Sequence, residues 1–352
     1  MSLVNPIYSN LPVKKQSKNP TVKVSKATKK GKSLPSKHII KLGKFVWTTM
    51  WQVMMSQMAP RNKSGAYVRP ETQFRNAEIS PESGRYHLFV GLGCPWAHRT
   101  LVVRALKGLA DAIPVFLVYP SGDEGIWVFE EEQEGCHNIP QLYQLAEPGY
   151  TGRCTVPVLW DSQTKTIVNN ESAEIIVILN SQFNQFAGNP TLELYPQEEK
   201  EKIDAWNDKI YHTVNNGVYR CGFAQSQVAY EEACAELFAT LDELDKVLQT
   251  NRYLCGNRVT LADVRLFTTL FRFDVVYYSL FKCNRRRIQD YPNLGGYLKD
   301  LYQLPGVADT CDLSSVKRDY FGNLFPLNPG GVIPVDPDLN LWVSHGREKL
   351  SQ

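Results

Sequence analysis

The sequence has no cysteine pattern that would commit it to a metal site or to a disulfide framework. Its eight cysteines are scattered over 352 residues, with neither paired CxxC motifs nor a Cys and His set at zinc-ligand spacing. It also lacks an apolar secretory segment near its N-terminus, and no apolar run approaches the roughly 20 residues of a membrane span. Unpaired cysteines without a secretory signal favour a reducing compartment, so we expect a cytoplasmic protein with no metal and no membrane span.

Acidic side chains are absent from the first 70 residues, which contain fourteen lysines and arginines before the first acid, Glu71. These lysines stand among Ser, Thr, Pro and Asn with little aromatic interleaving, which is typical of a disordered arm rather than of a nucleic-acid surface. We therefore expect residues 1–43 to be a basic, disordered arm and expect no nucleic-acid partner. A plastid transit peptide is the alternative, because such peptides are basic, serine-rich and poor in acids.

Residues 44–84 are predicted to be an N-terminal extension that contains a short amphipathic helix over residues 44–58. Tryptophan and methionine side chains recur there at spacings of three and four, which places them on one helical face. These side chains are Trp47, Met50, Trp51, Met54, Met55 and Met58. Because the polar face carries few charges, we expect this helix to pack on the folded body rather than to bind a membrane surface.

From residue 85 the sequence pattern becomes that of an α/β domain. A strand over 86–90 is followed by a helix, a second strand, an acidic insertion over 119–150, a strand hairpin and a further helix. The predicted elements after the first strand are the helix 96–109, the strands 113–118, 156–160 and 166–168, and the helix 171–180. This order predicts a thioredoxin-like domain over residues 85–183, with a mixed sheet whose last hairpin is antiparallel.

Strand signals disappear after a linker near residues 183–196, and helical periodicity takes over. The predicted helices are residues 198–216, 228–249, 261–281 and 292–303. A capping box, in which Thr260 caps the third of these helices and Asp263 bonds back, supports its start. The sequence therefore predicts an all-α domain over residues 197–324, followed by a surface tail over residues 325–352.

The most reactive candidate in the sequence is Cys94, which follows an apolar strand and a Gly-rich turn and precedes Pro95. Proline is favoured at the first position of a helix, so this order places the Cys94 sulfur at a helix N-terminus, where free N–H groups lower the pKa of a thiol. A buried cysteine that merely caps a core helix is the alternative. Because Ala97 stands at the fourth position of the motif, no CxxC disulfide can form, and a mixed disulfide at Cys94 needs an external thiol to resolve it.

Four stretches carry a specific resemblance to one known family. They read CPWAHR over residues 94–99, YTGRCTVPVLWD over 150–161, VNNESAEII over 168–176 and NNGVYRCGFA over 215–224. These stretches closely resemble the xi-class glutathione transferases, which are the S-glutathionyl-hydroquinone reductases, and the resemblance extends over roughly residues 44–330. It implies the glutathione transferase fold, a thioredoxin-like N-terminal domain with an all-α C-terminal domain, and it implies a homodimer.

The resemblance also implies an activity. Cys94 attacks the sulfur that joins glutathione to a hydroquinone ring, the hydroquinone leaves, and a second glutathione resolves the Cys94 mixed disulfide. Glutathione is then a cosubstrate, glutathionylated aromatic molecules are the substrates, and no tightly bound cofactor is needed. The sequence does not name the physiological hydroquinone.

A set of glutathione-binding residues follows from the resemblance. They are Trp127, Arg153, Cys154, Thr155, Val156, Glu171 and Ser172. The backbone of Val156, before a cis Pro157, is expected to pair with glutathione like an added strand. Ser172 and the N-terminus of its helix are expected to hold a carboxylate of glutathione, although Glu171 and Ser172 also fit a plain helix cap.

Three tyrosines, Tyr219, Tyr277 and Tyr320, resemble phenols that face the same cleft in this family. Hydrogen bonds from phenols to the Cys94 thiolate would stabilise its charge and lower its pKa. Tyr219 is expected to donate the proton that the ring carbon takes up as sulfur leaves.

Three other functions remain compatible with the sequence. An omega-like thioltransferase or dehydroascorbate reductase would use the same Cys94 chemistry with a different acceptor. An ordinary conjugating transferase would retain conjugation after Cys94→Ser. A noncatalytic binding module of the same fold would not need Cys94 at all.

Overall fold

The N-terminal helix of the protein is longer than the sequence indicates. The computed structural model describes residues 36–122, 124–335 and 337–351, so most of the predicted basic arm lies outside the described residues. The chain forms two units, residues 1–48 and residues 49–352. Helix α1, Lys37–Met58, begins before residue 44 because the aliphatic residues ahead of Gly43 continue the helix, although glycine interrupts the helical pattern.

Within residues 49–58, the predicted packing of α1 is confirmed for part of its apolar face. Met55 is fully buried, and Trp51 and Met58 pack against the core. Met50 is half exposed instead. No helix in the described part of the chain is long and apolar enough to cross a membrane.

A six-stranded mixed sheet organises the first half of the larger unit, with strand order β4-β3-β2-β1-β5-β6. Strands β1 and β2 are parallel, and the other pairs are antiparallel. The mixed sheet and its antiparallel last hairpin are therefore confirmed. The strands are β1 Tyr86–Val90, β2 Val115–Pro120, β3 Trp127–Gln133, β4 Cys136–Asn138, β5 Val158–Asp161 and β6 Thr166–Asn169.

The acidic insertion over residues 119–150 carried no predicted strand or helix, and the structure has three elements there. It contains β3, β4 and helix α3, Ile139–Ala146. Residues 130–132, all glutamates, lie exposed on β3 near the sheet edge, so the acidic composition hides a strand. A tight turn joins β3 to β4, with positive φ at Glu134 and Gly135.

The remaining helices surround the sheet or form the helical half. They are α2 Pro95–Lys107, α4 Ser172–Ser181, α5 Lys200–Ile210, α6 Gly217–Gly222, α7 Gln227–Val247, α8 Leu261–Arg272, α9 Leu294–Tyr302 and α10 Leu313–Asn323. The capping box of Thr260 and Asp263 at the start of α8 is confirmed. The domain boundaries stay predictions.

Two predicted helices of the helical half are interrupted, and two helices, α6 and α10, were not predicted. Single π-helical turns, Tyr211–Asn215 and Phe273–Tyr277, follow α5 and α8, so neither helix continues as predicted. Such turns are rare and frequently occur near functional sites. The missed helix α10 carries Tyr320. Its apolar residues Leu313, Val316, Tyr320 and Phe321 fall at helical spacing, so a helical pattern is present in the sequence.

Candidate active site

A cleft of about 530 Å³ collects most of the predicted site residues. Eight of them line it: Cys94, Trp127, Arg153, Cys154, Thr155, Val156, Tyr219 and Tyr320. Tyr277 is fully buried and does not line the cleft, but its phenol oxygen lies 3.0 Å from that of Tyr320 and its ring contacts that of Tyr219, with centroids 6.0 Å apart. Glu171 and Ser172 lie instead at the start of α4 and do not line the cleft.

The Cys94 residue caps the N-terminus of α2, with Pro95 at the first helical position. Its Sγ atom lies 3.6 Å from the carbonyl oxygen of Val156, and the Val156–Pro157 peptide bond is cis. The structure therefore brings the predicted nucleophile and the predicted backbone-pairing residue together at one edge of the cleft.

Opposing influences act on the pKa of Cys94. Burial of the thiol raises its pKa above the ordinary value, although the backbone N–H groups of Ala97 and Trp96 and the charges of Arg272 and Arg69 all lower it. The helix N-terminus acts in the expected direction, but desolvation outweighs it.

The turn before Cys94 is held by two residues that the sequence analysis missed. Fully buried Arg272 donates to the carbonyl oxygens of Leu92 at 2.8 Å and of Gly93 at 2.9 Å. The Gly93 N–H donates to Asp319 Oδ2 at 3.1 Å. One peptide unit, Leu92–Gly93, is thus held by a cation at its oxygen and by a carboxyl at its N–H. Arg272 lies five residues before Tyr277, and Asp319 directly precedes Tyr320. This closeness to the predicted tyrosines is the sequence signal that could have identified both residues.

The approach of Asp319 to this turn requires glycine at position 93. A Cβ atom on Gly93 would lie 2.3 Å from Asp319 Oδ2, closer than any real contact. The Asp319 side chain is only 8% exposed, and its Oδ1 atom has no hydrogen-bond partner. Burial raises the pKa of Asp319 to about 6.

The three predicted tyrosines form one hydrogen-bonded chain. The Tyr320 phenol lies 2.5 Å from the phenol oxygen of Tyr219 and 3.0 Å from that of Tyr277. Among the described residues, no phenol hydrogen-bonds to Cys94 Sγ, so the expected phenol–sulfur bond is absent from this arrangement. Burial raises the pKa of Tyr277 to about 12 and raises the pKa values of Tyr219 and Tyr320 well above 10. All three phenols therefore keep their protons at neutral pH.

Two arginines stack on Trp96, two residues after Cys94. The guanidinium carbons of Arg69 and Arg99 lie 3.9 Å and 4.4 Å from the Trp96 ring centroid. Arg69 also lines the cleft with Arg153, which makes this side of the cleft positive. Arg69 was not among the predicted site residues, because it lies in the N-terminal extension, outside every recognised motif.

At the start of α4, Glu171 caps the helix by accepting a hydrogen bond from the N–H of Ala173 at 3.0 Å. Its other carboxylate oxygen accepts from Thr72 Oγ1 at 3.2 Å. Ser172 is buried, and Arg99 lies 3.4 Å from its Oγ atom. The helix-cap interpretation is confirmed, whereas glutathione binding by Glu171 and Ser172 stays a prediction. No group of described residues could hold a metal ion.

The sequence matches two protein-family models. Residues 93–182 match the N-terminal domain of glutathione S-transferases, and residues 227–300 match the C-terminal domain. The predicted fold, a thioredoxin-like domain with an all-α domain in the glutathione transferase arrangement, is thereby confirmed.

Curated relatives cover most of the chain. The glutathionyl-hydroquinone reductase YqjG of Escherichia coli K12 is 44% identical over 324 residues, 86% of this chain and 97% of that protein. The glutathionyl-hydroquinone reductase PcpF of Sphingobium chlorophenolicum is 45% identical over 302 residues, covering 83% of this chain and 94% of that protein.

Solved structures agree with these relatives. The glutathione-bound structure of YqjG has a TM-score of 0.73 at 48% identity, covering 76% of this chain and 89% of that one. The xi glutathione S-transferase of Phanerochaete chrysosporium has a TM-score of 0.77 at 43% identity, covering 80% and 96%. The chain therefore belongs to the xi-class glutathione transferases, the family of the glutathionyl-hydroquinone reductases.

Proposed function

We propose that this protein removes glutathione from S-glutathionyl-hydroquinones, with a second glutathione as cosubstrate. One observation carries the proposal: a cysteine sulfur at a helix N-terminus and two protonated phenols, those of Tyr219 and Tyr320, line the same cleft. A serine or tyrosine hydroxyl in place of Cys94 would activate glutathione for conjugation. A cysteine instead attacks a glutathionyl sulfur. Relatives named for this activity support the proposal.

The glutathione moiety is placed beside Cys94 by backbone and charge. The Val156 backbone, whose carbonyl oxygen lies 3.6 Å from Cys94 Sγ, is available to pair with the cysteinyl residue of glutathione. Arg153 and Arg69 line the cleft and attract the two carboxylates of the tripeptide. Trp127 lines the same cleft and offers an apolar contact. The N-terminus of α4, with Ser172 and Glu171, is proposed to bind the γ-glutamyl end.

In the first step, the Cys94 thiolate attacks the glutathionyl sulfur and a Cys94–glutathione disulfide forms. The bond between that sulfur and the ring carbon breaks, and its electron pair goes to the ring. Tyr219 donates a proton to that carbon, and its phenol can be reprotonated through Tyr320, 2.5 Å away. Because the Tyr219 pKa is raised by burial, the phenol carries the proton that this step needs.

In the second step, a second glutathione thiolate attacks the glutathionyl sulfur of the mixed disulfide. Glutathione disulfide leaves, and Cys94 departs as a thiolate that is ready for the next cycle. The two electrons that reduce the aromatic carbon therefore come from two glutathione sulfurs. Ala97, at the position where a resolving cysteine would stand, makes the external thiol necessary.

The first experiment is a single turnover with a glutathionyl-hydroquinone and no free glutathione, followed by mass spectrometry. The protein should gain one glutathione on Cys94, by peptide mapping, and release one equivalent of hydroquinone. Cys94→Ser should do neither, while Cys136→Ser, a buried cysteine on β4 outside the cleft, should match the wild type.

Other outcomes would overturn the proposal. An adduct on Cys154, which also lines the cleft, would show that Cys154 and not Cys94 is the nucleophile. No adduct, with conjugation proceeding when an electrophile and glutathione are supplied, would leave a conjugating transferase. No reaction of either kind would favour a binding module.

Assembly and location stay predictions. All eight cysteines are free, which fits the reducing compartment expected for a cytoplasmic protein and also fits a plastid stroma. A homodimer is implied by the family resemblance alone.

A further inference from the structure

His98, in the CPWAHR stretch, has no role in the reaction proposed above. It lies four residues after Cys94 on α2, where its N–H donates to the Cys94 carbonyl oxygen at 3.0 Å. The residue is only 1% exposed, and its ring packs on the rings of Phe267 and Phe271, with centroid distances of 5.7 Å and 5.6 Å. The imidazole is therefore held between the helix that begins at the nucleophile and α8.

The hydrogen bonds of His98 determine which ring nitrogen carries its proton. The Thr310 hydroxyl donates to the Val307 carbonyl oxygen at 2.7 Å, so its oxygen accepts a hydrogen bond from His98 Nε2, 2.9 Å away. Arg272 Nη1 lies 2.9 Å from His98 Nδ1, and a guanidinium can only donate. Nε2 therefore carries the proton, Nδ1 is the acceptor, and the ring is neutral. Burial and the Arg272 charge both lower the pKa of His98 well below 6.5.

Arg272 is a fully buried cation whose hydrogen bonds to the described residues all go to neutral acceptors. Besides His98 Nδ1, the acceptors are the carbonyl oxygens of Leu92 at 2.8 Å, Gly93 at 2.9 Å and Thr268 at 3.0 Å. A buried arginine is ordinarily paired with a carboxylate, which would cancel its charge. A neutral imidazole instead fixes the guanidinium and leaves its charge in place.

This charge lies one peptide group away from the nucleophile. Arg272 Nε donates to the Gly93 carbonyl oxygen, which belongs to the peptide bond between Gly93 and Cys94. Burial raises the pKa of Cys94, and the Arg272 charge is among the influences that lower it. A nearby positive charge favours the thiolate form of a cysteine, so Arg272 opposes the desolvation of the nucleophile.

Other ionisable side chains also face this arrangement. Cys311 Sγ lies 3.7 Å from His98 Nε2, and burial raises the pKa of Cys311 to about 12. Asp319 lies on the opposite side of the Leu92–Gly93 peptide, and burial raises its pKa to about 6. Arg69 adds a second positive charge, and the three phenols keep their protons. Between about pH 7 and pH 10, Cys311 and Asp319 therefore keep nearly constant charges while Cys94 titrates.

We propose that His98 is a positioning residue for the nucleophile: as a neutral acceptor, it holds Arg272 against the turn before Cys94 without cancelling the charge that stabilises the thiolate. A carboxylate at the same place would also hold Arg272 but would remove this stabilisation. The use of the thiolate in hydroquinone release rests on the proposed function, whereas the effect of His98 on the ionisation of Cys94 does not.

The test compares His98→Asn with His98→Asp. Both variants have an oxygen at the δ position of the side chain, both leave the same space unfilled, and they differ in charge. The measurement is the rate at which iodoacetamide alkylates Cys94 between about pH 7 and pH 10, with peptide mapping to separate Cys94 from Cys154. This reaction needs no hydroquinone substrate, so it decides the role of His98 even where the proposed function fails.

At about pH 8, alkylation of Cys94 in His98→Asp should be at least roughly threefold slower than in His98→Asn. The carboxylate raises the Cys94 pKa and so reduces the fraction of thiolate, although the more basic thiolate is a somewhat better nucleophile. The rate–pH curve of His98→Asp should also rise at higher pH than that of His98→Asn. Packing alone would affect both variants alike.

A second measurement uses the wild type and does not depend on the folding of a variant. Side-chain ¹⁵N spectra should show a histidine that keeps the neutral Nε2–H tautomer between about pH 5 and pH 8. A coupling through the hydrogen bond, from its Nδ1 atom to an arginine side-chain nitrogen, assigns this signal, because His98 is the described histidine whose ring bonds a guanidinium.

Two results would overturn the proposal. One is equal alkylation of Cys94 in His98→Asn and His98→Asp, which would leave His98 with a packing role alone. The other is a wild-type His98 that is protonated, or carries its proton on Nδ1, near neutral pH, since it could not then accept from Arg272.

Discussion

The two sides of the cleft are built in different ways. The cysteine side comes from short continuous stretches, residues 93–96 and 153–156, each located where a strand meets a helix or a turn. The tyrosine side comes from three separate helical elements, and its phenols are bonded across sequence separations of 101 and 43 residues. Local sequence therefore determines the nucleophile, whereas the proton donors depend on the packing of the whole helical half.

The two sides are also stabilised by different interactions. Hydrogen bonds to the main chain, from Arg272 and to Asp319, hold the turn before Cys94. Aromatic packing around Phe281 holds the tyrosines. Because Asp319 directly precedes Tyr320 on α10, this helix is the point at which the two sides are joined.

The sharpest test of this division is Tyr219→Phe. Removing the phenol oxygen should slow hydroquinone release by about 10²-fold or more, since general acid catalysis contributes that much, and the Cys94 side stays intact. Thiol–disulfide exchange of Cys94 with a simple glutathione mixed disulfide needs no proton on carbon and should change by less than roughly threefold. Single-turnover release and exchange rates measure the two reactions.

Tyr230→Phe is the matched control for Tyr219→Phe, because its phenol bonds the Lys282 carbonyl oxygen outside the cleft. Equal losses of release and exchange in Tyr219→Phe would show that the two sides are not separable. Such a result would favour an omega-like thioltransferase, in which the phenol has no separate role.

A smaller effect is expected when the packing of the tyrosine side is disturbed without touching a phenol. Gly222→Ala places a Cβ atom 2.4 Å from Cγ and 2.8 Å from Cβ of Phe281, so part of the core must shift. We expect unfolding free energy to fall by about 1–3 kcal/mol, and hydroquinone release to fall more than Cys94 exchange.

Gly322→Ala is the control for this prediction, since it lies on α10 with nothing within 4 Å of the added Cβ. Its unfolding free energy should stay the same or rise by up to about 1 kcal/mol, because alanine favours a helix. Denaturant unfolding of both variants measures the difference. Equal stabilities would contradict the close contact between α6 and Phe281.

The cysteine side could be predicted from sequence because its signals are local. A strand, a Gly-rich turn, Cys94 and Pro95 predicted a helix N-terminus, and the structure places Cys94 there. The capping box at Thr260 and the antiparallel hairpin were likewise readable from adjacent residues. The strands of residues 119–150 were missed because β3, which lies between β4 and β2, has three consecutive exposed glutamates in place of an apolar alternation.

Other features of the site depend on contacts that no local pattern contains. Burial, which raises the pKa of Cys94, is a property of the folded cleft rather than of the sequence motif around the thiol. The mutual bonding of the three phenols requires α6, α10 and the turn after α8 to meet. Arg69 and Asp319 also line the cleft. Charged residues usually lie on the protein surface, so the sequence around these two does not indicate that they belong to the site.

The smallest expected effect concerns the junction between the two sides of the cleft, where Asp319 lies. It is a change in unfolding free energy with pH, and its direction follows from the pKa of Asp319. Burial raises the pKa of Asp319 from 3.8 to about 6, so the folded protein binds this proton more tightly than the unfolded chain does. The stabilising contribution of the protonated carboxyl is complete below pH 3.8 and is lost as the pH rises through about 6. Asp319→Asn keeps an acceptor for the Gly93 N–H and cannot ionise.

Unfolding free energies of the wild type and Asp319→Asn, measured by denaturant between about pH 4 and pH 7, isolate this carboxyl. The difference in unfolding free energy between the two proteins should shift by about 1–2 kcal/mol in favour of Asp319→Asn as the pH rises. Asp309→Asn, which replaces an exposed acid, is the control. A constant difference would mean that the buried carboxyl is already ionised in the folded protein at pH 4. Asp319 would then hold the Leu92–Gly93 peptide as a carboxylate, opposite the Arg272 guanidinium that bonds the other side of this peptide. The junction would be an ion pair bridged by the peptide, and not a hydrogen bond to a neutral carboxyl.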